Sequence, residues 1–212
     1  LDAEISEGNS NKVSVTIMAD LEKGFEKVHH SVIQTNATLY NFRPETLALA
    51  LSMYTSPRRI RCGNAYSRAV TTVIGVLAGC PIAMGLLLLN VINPIDSFWA
   101  KLPKQISTLW VYVDDIIMSF TFDKSEHTYD LITMRVAHAY RRLNDSLKRD
   151  GASFAVGKSN VVSNDRHASD RIAKELNRCE ENCANIESCK CPANHKIQAC
   201  YEVTVLGVDY AA

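Results

Sequence analysis

The chain has 212 residues, 47% of them apolar, with 23 Lys+Arg against 23 Asp+Glu and a mean hydropathy near zero. That length can bury a full hydrophobic core, and a charged fraction of 22% excludes a disordered acidic or basic tail. Zero net charge excludes nucleic-acid binding by overall charge, though not by a local basic groove. Leu1 rather than Met opens the sequence, and residues 2–11 read as the middle of something longer, so a fragment is expected. No basic stretch followed by an apolar one marks a signal peptide at the N-terminus. Seven cysteines, an odd number with five clustered near the C-terminus, do not resemble a secreted disulfide framework. An intracellular, reducing setting is expected, nucleus or cytoplasm left open. Residues 69–99 are the most apolar, but Pro81, Asn90, Asn93 and Pro94 interrupt them. A buried helix is expected there, not a membrane span, which needs ~20 predominantly apolar residues.

In chain order, residues 13–20 (VSVTIMAD) read as a buried strand ending in an acid. Residues 23–38 read as a helix with Phe25, Val28, Val32 and Ile33 on one face, and 43–54 as a second helix opened by Pro44. Strands are expected at 58–62 and 68–73 around Gly63-Asn64. A Gly-rich turn precedes an apolar helix over 81–98, bent or ended by Pro94. Residues 108–113 and 116–120 form an expected hairpin with Asp114-Asp115 at its tip. Residues 125–149 read as an amphipathic helix with Leu131, Met134, Ala137, His138, Leu143 and Leu147 inward. Short strands at 154–156 and 160–162, a helix at 169–178 and a closing strand at 202–208 complete an α+β arrangement, an antiparallel sheet backed by helices.

Asp20, Asp114 and Asp115 stand where apolar strands end or turn. Charges beside buried strands are costly unless they meet a partner. Two Mg²⁺ ions are natural partners for carboxylates, and such a pair activates a hydroxyl and stabilises a leaving pyrophosphate. The alternative is a set of solvated turn acids.

Five segments in order settle between these. Residues 15–33 (VTIMADLEKGFEKVHHSVI), 71–96 (the Gly75-x-x-x-Gly79-x-Pro81 turn with its apolar helix), 109–120 (LWVYVDDIIMSF), 150–162 (DGASFAVGKSNVV) and 203–210 (VTVLGVDY) resemble the five palm motifs of reverse transcriptases, above all the non-LTR retroelement type. The set spans nearly the whole chain. The resemblance implies an RNA-directed DNA polymerase palm with partial fingers at 1–178, a Cys-rich insertion at 179–200 and a fifth-motif strand at 201–212 with no thumb. It implies a nucleotidyltransferase using two Mg²⁺ ions, or Mn²⁺, with an RNA template, a DNA primer and deoxynucleoside triphosphates as partners and no membrane. Asp20 and Asp114 would ligate the metals and Asp115 would assist, its side chain directed differently. Lys158 would protonate or neutralise pyrophosphate. The Leu21 backbone, Phe25 and Gly79 would meet the nucleotide, Phe25 by excluding a 2′-hydroxyl. Leu206 and Gly207 would grip the primer end. Phe25 and the Tyr112-Val113 pair separate the chain from RNA-templated RNA polymerases. Ala78 stands where the second motif usually carries Gln, which favours the alternative of a degenerate or truncated retroelement domain without catalysis, an RNA-binding or structural module.

Arg58, Arg59, Arg61 and Arg68 surround Tyr66 with no acid among them, a composition suited to a nucleic-acid backbone and one stacked base; a solvated hairpin with snorkelling arginines reads equally well. Cys179, Cys183, Cys189 and Cys191, with His195 and Cys200, are residues zinc takes, but their spacing matches no familiar finger. A lineage-specific insertion is the other reading. His29 and His30 are expected on a helix surface and His138 at the edge of the core.

Overall fold

The computed structural model describes residues 11–103, 107–178, 196–200, 202–205 and 208–211. Its elements are β1 (Lys12–Asp20), α1 (His30–Leu39), α2 (Pro44–Thr55), β2 (Arg61–Cys62), β3 (Ala65–Tyr66), α3 (Ala83–Trp99), β4 (Ser107–Tyr112), β5 (Asp115–Asp123), α4 (Tyr129–Arg149), β6 (Asn160–Ser163), α5 (Arg166–Leu176), β7 (Gln198–Cys200), β8 (Glu202–Val205) and β9 (Val208–Ala211). They fall into two compact units. One takes residues up to Leu21, Trp99–Asn144 and everything from Phe154; the other takes Glu22–Phe98 and Asp145–Ser153.

The first unit is built on a five-stranded sheet of order β4-β5-β1-β6-β7. Side chains alternate across a strand, and β1 shows it: Val13, Val15, Ile17 and Ala19 are buried while Ser14, Thr16, Met18 and Asp20 lie on a more open face. The strand is therefore buried on one side, not on both. β5 repeats the pattern with Ile116, Met118, Phe120 and Phe122 inward. β1 pairs antiparallel with β5 and with β6, but β7 runs parallel to β6. That departs from the purely antiparallel sheet expected, and α5 supplies the crossover a parallel pair needs. β8 and β9 pair as a separate antiparallel ribbon where one closing strand was expected.

Helix α4 buries Ile132, Val136, Ala137, Tyr140, Leu143 and Leu147, while Met134 is 60% exposed and His138 is exposed. The helix is as expected, and Ala137, Leu143 and Leu147 of its expected inner face are buried, but Met134 and His138 face out and Leu131 is only half-buried, with Ile132, Val136 and Tyr140 completing the stripe. The Tyr140 ring packs on Phe154 with centroids 5.0 Å apart, and the Asn144 Oδ1 accepts the Phe154 N–H at 2.9 Å. Helix α5 begins earlier than its apolar pattern suggested because Asp165 caps it. One carboxylate oxygen accepts the Ala168 N–H at 3.2 Å and the other meets the Tyr129 hydroxyl at 2.5 Å and Lys124 Nζ at 3.0 Å. Burial pushes the Asp165 carboxyl up, but the Tyr129, Lys124 and Ala168 donors outweigh it and hold it below the usual carboxylate range. A depressed acid stabilises the fold fully above its unfolded pKa, and that contribution disappears as pH falls through the folded value. Asp165→Ala is expected to cost about 2 kcal/mol at pH 7. Urea unfolding should show the difference shrinking below pH ~4.

The second unit holds α1, α2, the β2–β3 hairpin about Gly63-Asn64, and α3. Helix α1 starts at His30, not at residue 23. Lys23 takes a left-handed φ of 52°, and residues 22–27 form turns. Helix α3 buries Leu86, Leu87, Val91 and Phe98 and continues through the buried Pro94 to Trp99. Its Asn90 is used rather than wasted, the side-chain oxygen accepting the His29 N–H at 3.0 Å. No helix among the described residues is long and apolar enough to cross a membrane.

Candidate active site

The register of the sheet assembles the candidate site. Asp115 is the partner of Tyr112 across the β4–β5 hairpin and of Asp20 across β5–β1. Directly opposed residues share a face. The β1–β6 pairing ends at Met18 opposite Asn160, and Lys158, in the turn just before β6, reaches Asp20 by its side chain rather than by strand register. Tyr112, Asp115 and Asp20 thus form one row across β4, β5 and β1 on the open face, and the Lys158 ammonium meets its end. Asp115 comes opposite Asp20 because the two-residue turn of the hairpin is Val113-Asp114, not Asp114-Asp115 as expected, and Asp115 is the first residue of β5.

Backbone hydrogen bonds tie these segments together. The Leu21 N–H donates to the Asp114 carbonyl at 3.0 Å, and the Ala155 N–H to the Asp20 carbonyl at 2.8 Å. Leu21 is buried, and its amide joins β1 to the hairpin tip. Val113 has φ +57°, a left-handed conformation that a β-branched residue rarely adopts and that carries about 1–2 kcal/mol of strain. A turn with positive φ at its first central position normally takes glycine there.

Lys158 ends the 3-10 turn Val156–Lys158, and its Nζ lies 2.9 Å from Asp20 Oδ2. The approach is off the hydrogen-bonding direction, so the buried Oδ2 has an ion-pair partner but no directed hydrogen bond. The short contact with Asp20 and its charge hold the Lys158 ammonium above its usual range, with smaller help from Asp114 and Asp115. Burial, then the Asp114 and Asp20 carboxylates, push Asp115 up, and Lys158 pulls it partly back. A raised acid penalises the fold as pH rises from its unfolded value through its folded one. Asp115→Asn is therefore expected to raise Tm at pH 7, with the gain vanishing below pH ~4, where wild type is protonated too.

Like charges placed opposite one another destabilise a sheet. A buried carboxylate oxygen without a directed donor, among two further carboxylates, is the donor chemistry a hard divalent cation takes. Among the described residues no three His, Cys, Asp or Glu side chains converge closely enough to coordinate an ion. Side-chain rotation of Asp114 or Asp115 toward Asp20 would be needed.

The remaining predicted positions divide between the units. Phe25 is half-buried in a turn rather than a core residue of a helix; its carbonyl accepts the Val76 N–H at 2.9 Å. Gly75 (φ +91°) packs so that an added Cβ would stand 3.1 Å from the Glu26 carbonyl oxygen, whereas Gly79 (φ +87°) faces open space. His30 is buried, not on a helix surface, its Nε2 donating to the Gly75 carbonyl at 2.9 Å. Residues 25–30 and 73–76 are thereby fastened together within the second unit. Arg58, Arg59, Arg61 and Arg68 are all exposed. Arg58 donates to the Met53 and Tyr54 carbonyls that end α2, and Arg61 lies over the Tyr66 ring at 5.8 Å. Leu206, Gly207, Cys179, Cys183, Cys189, Cys191 and His195 lie outside the described residues. Cys200 belongs to β7, where burial pushes its thiol up and Sγ contacts Asn160 Oδ1 at 3.2 Å.

One feature of the site was missed from sequence. Trp110 and Tyr112 are 56% and 59% exposed and, two residues apart, share the face of Asp115. The period-two count back from Asp115 was the available signal.

No family profile and no curated protein matches the chain. Among solved structures it resembles telomerase from Candida tropicalis in complex with the TWJ fragment of telomeric RNA, with a TM-score of 0.52 and 10% identity over 76% of this chain and 27% of that one. An apo telomerase from the same organism, truncated from its C-terminal domain, aligns with a TM-score of 0.44 and 12% identity over 71% of this chain and 31% of that one. The chain spans about a quarter of the length of the first. At such identity the likeness is one of fold: a mixed α/β chain with a five-stranded sheet backed by helices, compatible with a polymerase-like architecture.

Proposed function

We propose that this chain is the palm, with partial fingers, of a reverse-transcriptase-type nucleotidyltransferase of the non-LTR retroelement kind, extending a DNA primer on an RNA template. The observation that carries the reading is the meeting at Asp20 of Asp115, opposed to it across β1 and β5, and of the Lys158 ammonium, drawn from three of five motifs met in the family's order. The fold likeness to a telomerase solved with RNA supports it.

Asp20 and Asp114, assisted by Asp115, would hold Mg²⁺ or Mn²⁺, which when bound lowers the cost of charge on the attacking 3′-hydroxyl and the departing pyrophosphate. Lys158 stands where its ammonium can neutralise or protonate that pyrophosphate. By the family resemblance, the bulk of Phe25 would exclude a ribose 2′-hydroxyl. Tyr112 and Trp110 offer exposed rings on which primer or template bases can stack.

Extension of a DNA primer annealed to RNA, with deoxynucleotides and Mg²⁺ or Mn²⁺, tests the reading. Divalent-dependent growth of the primer is expected, and it should require Asp114. The second reading, a non-catalytic RNA-binding relic, is favoured by Ala78 in place of Gln and by carboxylates that do not converge. RNA binding without extension by the wild-type chain selects it.

A further inference from the structure

We propose that the β2–β3 hairpin of the second unit grips unpaired RNA, with Arg59, Arg61 and Arg68 meeting its phosphates and Tyr66 stacking on one of its bases. The choice of RNA rests on the polymerase reading above; the grip rests on the hairpin alone.

Residues 46–95 contain no Asp or Glu, and their only charged side chains are Arg58, Arg59, Arg61 and Arg68. None of the four has an ion-pair partner among the described residues. Residues 55–71 are all exposed, so no core covers either face of the hairpin. Its pairing sorts the side chains. Arg61 stands opposite Tyr66 and Cys62 opposite Ala65. The strands stay joined beyond them: the Ser67 N–H donates to the Ile60 carbonyl at 2.9 Å, and Arg58 and Val70 exchange backbone hydrogen bonds at 2.9 and 2.8 Å. Successive side chains along an extended strand alternate between faces. Arg59 and Arg61 on one strand therefore share a face with Tyr66 and Arg68 on the other, and Ile60, Cys62, Ala65 and Ser67 take the opposite face.

The four arginines do not play one part. Arg58 is turned back on the fold, its Nη2 donating to the Met53 and Tyr54 carbonyls that end α2. Arg61 Nε donates to the Gly63 carbonyl at 2.9 Å, and its guanidinium lies 5.8 Å from the centre of the Tyr66 ring, which steadies the ring and leaves its terminal N–H groups for a phosphate. The guanidinium groups of Arg59 and Arg68 make no hydrogen bond among the described residues. The hairpin thus presents cations beside an aromatic ring that is 61% exposed, the pairing of backbone charge and stacking surface that single-stranded nucleic acid takes. A double helix keeps its bases stacked and paired and would offer the ring nothing. An acidic peptide would satisfy the arginines and leave Tyr66 idle. In primer extension the unpaired strand is the template beyond the primer end, hence RNA.

Fluorescence anisotropy of a labelled single-stranded oligouridylate, followed across KCl concentrations, tests the grip. Arg59→Gln/Arg68→Gln is expected to weaken binding roughly tenfold or more at 0.1 M KCl and to reduce the slope of log affinity against log salt by about 1.4, two phosphate contacts' worth. Tyr66→Leu should weaken binding roughly five- to fiftyfold with the slope unchanged, a loss absent with an RNA duplex of the same length. Arg58→Gln should keep the slope and lower the urea midpoint instead. An unchanged slope in the double variant, an unchanged affinity in Tyr66→Leu, or displacement of the RNA by polyglutamate at matched charge overturns the grip; primer extension by the wild-type chain would still leave the polymerase reading standing. The expected binding pattern without any extension overturns the polymerase reading and leaves the RNA grip in place.

Discussion

Asp114→Asn is expected to lower primer extension by roughly 10³-fold or more. The substitution keeps shape and removes charge. Asp114 contributes to the fold through its backbone, whose carbonyl accepts the Leu21 N–H, and that bond survives in the variant. The loss is therefore one of ligand and charge rather than of structure. Far-UV CD and the unfolding midpoint should match wild type while the single-turnover rate collapses. Retention of a wild-type rate by a folded Asp114→Asn protein would remove the hairpin from the chemistry, and with it the proposed function.

The largest stability effect is expected at Ile17. It lies at the middle of the central strand β1, fully buried, with Met118 opposite on β5 and Val161 opposite on β6, both fully buried as well. Three strands meet at this point, and a rigid backbone on either side cannot collapse into the space left by a truncated side chain. Ile17→Ala is expected to cost about 4 kcal/mol, the transfer term plus the cavity. Urea unfolding should show a lower midpoint with an unchanged slope. A loss below about 1.5 kcal/mol would mean that the site repacks and that β1 is not the centre of the core.

What could be read in advance followed from local chemistry. β-branched, apolar runs marked β1 and β5, Pro44 marked the start of α2, and apolar density marked α3. Register was not legible. Nothing local says that Asp20 faces Asp115 and Lys158, because those pairings close loops of many residues and depend on the whole sheet. The hairpin tip misled by one residue: Asp-Asp has turn chemistry, yet Val113 takes the left-handed position against its propensity. A helix begun at Lys23 was plausible from apolar spacing, but tertiary bonds from Val28 and His30 to the Gly75 segment hold the chain in turns there. The stripe of α4 was legible at Ala137, Leu143 and Leu147 but not in its first turns, because Leu131 and Met134 are as apolar as Ile132 and Val136, and only packing chooses between them.

The order of strands in the sheet bears on how the chain is made. β1 emerges from the ribosome ahead of its principal partner β5, which follows about a hundred residues later. At translation rates of ~5–20 residues per second, an apolar strand waits unpaired for some 5–20 seconds. The second unit, nearly all of it encoded in that interval, can begin to fold while β1 is still open. A ribosome-bound chain ending before Asp115 therefore presents VSVTIMA as a bare, aggregation-prone edge, and chaperone capture should peak on chains of that length and fall once β5 is out.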